Sequence, residues 1–119
     1  MKRDMDLVRA ILIELENYPT GGAPSAIEIE GYTSGEIGYH AYIMGQAGLI
    51  ETMDFTDSGI AGPQAGVVSM RWDGHEFLDA AREPDRWQQA KDVMAKVGGA
   101  SIAVWTAVLT SLVKEKLGL

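Results

Sequence analysis

Few residues in this chain have the types and spacing that chemistry needs. His40 and His75 are the two imidazoles, and Glu28, Glu30, Glu36, Asp73 and Glu76 are the carboxylates grouped around them in sequence. Two histidines with carboxylates could in principle bind a divalent metal, and Glu28, Glu30 and Glu36 could serve general acid–base catalysis. The spacing argues against both. The histidines lie far apart with no ligand spacing between them, and one imidazole without spaced partners is not a metal site. Glu28 and Glu30 fit a solvated face, and Glu36 fits a helix cap. The chain has no cysteine, which excludes thiolate metal sites and disulfides. It carries no nucleophile elbow, phosphate loop or HExxH helix. No catalytic residue, metal or cofactor is therefore expected, and the chain reads as non-enzymatic.

The element that positions His40 is the stretch from Thr33 to Glu51, TSGEIGYHAYIMGQAGLIE. Thr33 followed three residues later by Glu36 is the spacing of a capping box, in which each side chain satisfies the other's backbone donor. Ile37, Ala41, Met44 and Ala47 follow at helical spacing, with Tyr39 and Ile43 on a flank. Gly48 supplies a residue that turns left-handed without steric cost just past the last turn. Leu49 and Ile50 then start a strand.

The segment YHAYIMGQAGLIE resembles the recognition helix and first wing strand of arsenic-repressor-type winged helices, at Tyr39, His40, Ala47, Gly48, Leu49 and Ile50. In that family this helix enters the DNA major groove. Were this chain to bind DNA in that way, Tyr39, His40, Tyr42 and Gln46, with Arg71, are the side chains to contact it. A second resemblance covers nearly the whole chain. MKRDMDLVRAIL, IEIEGYTSGEIGYH, QAGLIE and RWDGHEFLDAAR are similar to a domain-of-unknown-function family of small bacterial and phage proteins that looks winged-helix-like. It implies a fold and a bacterial or phage origin, and brings no activity or functional residues.

Along the chain, Asp4 to Tyr18 reads as an amphipathic helix, with Val8, Ile11, Leu12 and Leu15 on one face and Leu7 and Tyr18 beside it. PTGGAP, from Pro19 to Pro24, is a loop by composition. Ala26 to Glu30 alternates and is expected to be a short edge strand, with Ile27 and Ile29 inward and Glu28 and Glu30 outward. After the central helix, residues 50–56 form a strand with Met53 and Phe55 alternating. Residues 57–66 form a mobile hairpin loop, and a return strand over 67–72 places Val68, Met70 and Trp72 on one face. Asp73 and Glu76 form a second cap before a helix through Phe77, Leu78 and Ala81. Pro84 opens a further helix carrying Trp87, Ala90, Val93, Met94 and Val97. Gly98 and Gly99 end it, and Ser101 caps the last helix, out to about Leu117. The fold class is α+β: a winged-helix-like core over residues 1–83 and a helical extension over residues 84–119 packed on it, one domain in all. IEIE stands where the usual supporting helix of a winged-helix motif would be.

Charge divides the chain. The formal net charge is −7 in 119 residues, and no Lys or Arg occurs between Arg9 and Arg71. The central helix lies inside that gap. Protein–DNA affinity rests largely on Lys and Arg neutralising phosphates, so nucleic acid is a disfavoured partner and a protein partner, or a second copy, is the favoured one. The opening residues are charged and the following helix is amphipathic, so no signal peptide is read. No apolar run reaches ~20 residues, so no membrane span is expected and the cytoplasm is the default location.

The last helix is the more unusual feature. Its apolar residues cover about 220° of a helical wheel, roughly twice what one contact face requires. One reading is a helix sandwiched within the domain. Another is that part of the arc, at Ile102, Trp105, Leu109, Leu112 and Val113, faces a partner such as a second copy of the chain. A helix lying on a membrane is a third.

Overall fold

Asp4 starts the first helix by accepting hydrogen bonds from the Asp6 and Leu7 amides on its own carboxylate. The helix, α1, runs Met5–Asn17 and buries Leu7, Val8, Ile11, Leu12 and Leu15 on one stripe. Tyr18 ends it in extended conformation, as the residue before Pro19 is sterically pushed to do. The computed structural model describes residues 1–56, 62–99 and 101–119.

Thr33 and Glu36 form the complete capping box of α2, Ser34–Gln46. Gly48 then takes φ +77° and releases the chain into β1, Ile50–Asp54, which pairs antiparallel with β2, Ala65–Met70. A register shift falls between Glu51 and Thr52, so Ile50 faces Met70 while Thr52 faces Val67. Helix α3 spans Trp72–Ala81, α4 Pro84–Ala95 and α5 Ile102–Leu117. Among the described residues, five helices and a two-stranded antiparallel sheet make an α+β arrangement consistent with a winged-helix-like domain carrying C-terminal helices.

Two expectations are corrected. Residues 26–30 keep the alternation, with Ile27 and Ile29 half-buried and both glutamates exposed, but form no strand. The described sheet contains only β1 and β2; alternation sets which side chains turn inward, whereas pairing needs a partner edge within hydrogen-bond reach. The second cap is shifted. Trp72 is already helical, so Asp73 sits in the first turn of α3, where a carboxylate complements the helix dipole. Trp72 consequently leaves the face of Val68 and Met70 and is 76% exposed. Finally, residues 57–61 of the expected mobile loop lie outside the described residues, whereas its far end, at Gln64, is firmly hydrogen-bonded.

The chain divides into two compact units, Met1–His75 and Glu76–Leu119, and the boundary falls within α3. In the first, α1 packs on α2 and α2 packs on both strands. Its core gathers the apolar stripe of α1 with Ile37, Ala41, Met44, Leu49 and Ile50. In the second, Trp87 meets Phe77 edge-on and stacks on Trp105 with ring centroids 5.1 Å apart. Ala90, Met94 and Leu109 are buried in the same unit. Glu83 caps α4 through the Asp85 and Arg86 amides, and these two bonds hold its carboxyl below the usual range. Among the described residues no helix is long and apolar enough to cross a membrane.

Candidate binding groove

In the first unit, a groove of about 460 Å³ opens beside α2. Ile37, Gly38 and Ala41 of α2 line it. The stretch Ala23–Ile27 lines it too, as do Met53, Phe55 and residues 64–68. Here the strand alternation misleads. Met53 and Phe55 fall on alternate positions as for core side chains, yet they are 56% and 60% exposed. Large apolar side chains are thus left in water beside a concave surface.

Two glycines make this shape. A side chain on Gly66 would collide with the Phe55 ring, so the ring lies directly over the backbone there. A side chain on Gly38 would collide with the carboxamide of Gln64. That carboxamide crosses α2 and donates from Nε2 to the Gly35 carbonyl at 3.1 Å. The Gln64 backbone is held as well, its N–H donating to Thr56 Oγ1 and its carbonyl accepting from the Phe55 N–H at 2.9 Å. Asp54 in turn accepts the Thr56 N–H at 2.7 Å, and this bonding to Thr56 holds the Asp54 carboxyl below its usual range.

A second notch of about 350 Å³ lies along Ala26, Ile27 and Pro24, which also line the groove, and adds Glu14, Asn17, Tyr18, Pro19 and Glu28. Neither cavity brings together a nucleophile and a base. Among the described residues no three His, Asp or Glu side chains converge to hold a metal.

The side chains that the sequence marks out are distributed differently. His40 is 2% exposed and so cannot meet a base edge without unfolding its surroundings. Its Nε2 accepts the Asp4 backbone N–H at 2.9 Å, and its Nδ1 lies 2.8 Å from the Glu36 carbonyl. An acceptor at Nε2 and a carbonyl at Nδ1 place the ring proton on Nδ1. Tyr39 packs edge-on against the same ring. Tyr39 and Tyr42 are half-buried, while Gln46 and Arg71 are exposed. His75 is exposed. In α5, Trp105 and Leu109 lie inside the chain's own core at 8% and 0% exposure. Ile102, Leu112 and Val113 remain half-buried. Sequence reading passed over Met53, Phe55 and Gln64 as groove residues; the signal was Gly38 and Gly66, small residues where a neighbour needs room.

The fold is thus that of a small α+β protein, consistent with a winged-helix-like domain, whose described surface offers an apolar groove. The chain matches the family described as "Hypothetical protein (DUF2513)" over residues 2–101, and it belongs to that family. It is 34% identical over 92 residues to an uncharacterized protein of Haemophilus influenzae, covering 76% of each chain. No solved structure matches.

Proposed function

We propose that this chain is a non-enzymatic binding module of bacterial or phage origin that acts by protein–protein contact through the groove beside α2. The observation that carries this reading is the exposure of Met53 and Phe55 over an apolar concavity. Burying such side chains against a partner is worth ~1.5–3 kcal/mol each, enough for two of them to anchor a small interface. A second copy of the chain is one partner the reading admits, and the cytoplasm is its expected setting. The experiment is affinity capture from the native host with wild type and with a Met53→Ser, Phe55→Ser double variant. A protein captured specifically by wild type and lost with the variant supports the reading. Equal capture by both removes the groove from the function.

Duplex DNA is the second reading, favoured by the exposed Gln46 and the half-buried Tyr39 and Tyr42 on α2. The absence of Lys and Arg from Ala10 to Met70 weighs against it, because carboxylates such as Glu51 and Asp54 repel the phosphate backbone. Selection from a random duplex library followed by anisotropy titration decides. Binding no tighter than about micromolar near physiological salt is expected, and an enriched motif bound at nanomolar strength would promote the regulator reading.

A further inference from the structure

The groove and the notch beside it differ in chemistry and share a wall. The groove is apolar at Ile37, Ala41 and Phe55, whereas the notch carries two carboxylates, Glu14 and Glu28. Ile27 lines both cavities, so a single bound segment can reach from one to the other. Both carboxylates belong to exposed residues. The lining of neither cavity includes a Lys or Arg. Each cavity alone is unremarkable. Together they pair an apolar slot with a neighbouring site of uniformly negative charge, which is the complement of a chain segment that mixes apolar and cationic side chains.

Resting on the protein-binding reading above, we infer that the groove's occupant is a basic, apolar segment of a partner protein. Its apolar side chains fill the slot under Phe55, and a lysine or arginine beside them enters the notch between Glu14 and Glu28. Tyr18 lines the same notch and offers a ring against which the alkyl stem of that cation can lie. The same carboxylates exclude acidic segments by repulsion, so the charge acts on selectivity more than on raw affinity.

The test uses the full chain and three fluorescein-labelled octapeptides that alternate leucine with lysine, serine or glutamate, titrated by fluorescence anisotropy. The leucine–lysine peptide is expected to bind about tenfold tighter than the leucine–serine peptide, and the leucine–glutamate peptide most weakly. The preference should shrink as salt is raised, because exposed charges are screened within about 10 Å at 0.1 M. A Glu14→Gln, Glu28→Gln double variant should lose the lysine preference while keeping its affinity for the leucine–serine peptide. Both positions are exposed, and circular dichroism checks that the variant is folded. If wild type binds the lysine and serine peptides equally, the inference is overturned and the groove remains a site for apolar segments. If the double variant keeps the preference, the notch does not read the cation and the inference is likewise overturned. If none of the three peptides binds, the groove is not a docking site, and the protein-binding reading falls with it.

Discussion

The imidazole of His40 accepts the backbone N–H of Asp4, 2.9 Å from Nε2, across 36 positions of sequence. That bond ties the first residue of the α1 cap to the middle of α2. Asp4 is used three times, since its carboxylate also caps α1 and accepts the Tyr32 hydroxyl at 2.8 Å. His40→Ala should therefore destabilise the fold by ~1–3 kcal/mol, the usual cost of stranding a buried polar group. In hydrogen exchange, the Asp4 amide should lose protection before the centre of α2 does. A melt unchanged within a few tenths of a kcal/mol would mean water replaces the imidazole at no cost.

The Tyr32 phenol is the group with the clearest pH signature. Its hydrogen bond to the Asp4 carboxylate, with burial and the charge of Asp4 adding to it, pushes its pKa up from 10.0 to about 12. A pKa raised by folding means the neutral phenol is favoured in the native state. The stabilisation is full below about pH 10 and is lost as pH rises toward about 12. Ultraviolet titration of tyrosinate should show one late-ionising tyrosine that vanishes in Tyr32→Phe. Ionisation of all tyrosines together near the ordinary value would show that the Asp4 contact does not persist in solution.

Gly74 sits in the first turn of α3 with its Cα facing the Leu49 carbonyl, and an added Cβ would overlap that oxygen. The oxygen also accepts the Arg71 N–H at 3.0 Å, so it is not free to move aside. Gly74→Ala should cost ~1–3 kcal/mol or more, the range for forced overpacking. Gly38→Ala should cost less, because what it displaces is the flexible end of Gln64. Urea melts of the two variants compare them directly, and equal losses would mean that the backbone at Leu49 yields as easily as a side chain.

Leu109 is fully buried in α5, while Val104 is 41% exposed. Leu109→Glu should disrupt the Glu76–Leu119 unit, because an unpaired carboxylate in an apolar core is not tolerated. Trp87 and Trp105 fluorescence should shift to the red with it. Val104→Glu should leave the helical circular dichroism intact. A folded Leu109→Glu protein with native tryptophan emission would return Leu109 to the surface and revive it as an oligomer contact.

Local rules settled much of this molecule from sequence alone. The Thr33–Glu36 capping box, the amphipathic stripe of α1, the Gly48 turn, Pro84 in the first turn of α4 and the Ser101 cap all depend on neighbours within a few residues. Composition and charge are equally local to the sequence, and they bear on partners without any coordinates. Contacts between distant residues were decided only by the tertiary structure. Ile27 and Ile29 alternate as a strand would, but no strand edge among the described residues pairs with them. Met53 and Phe55 alternate as core residues would, but they line an open groove. The identity of His40 was visible, whereas its two hydrogen-bond partners came from packing α1 across α2. The wide apolar arc of α5 could not say which part of itself would be covered, until Trp105 was found stacked on Trp87. Periodicity reports which side chains share a face. Which face is buried depends on what the rest of the chain brings against it, and that is a property of the folded state.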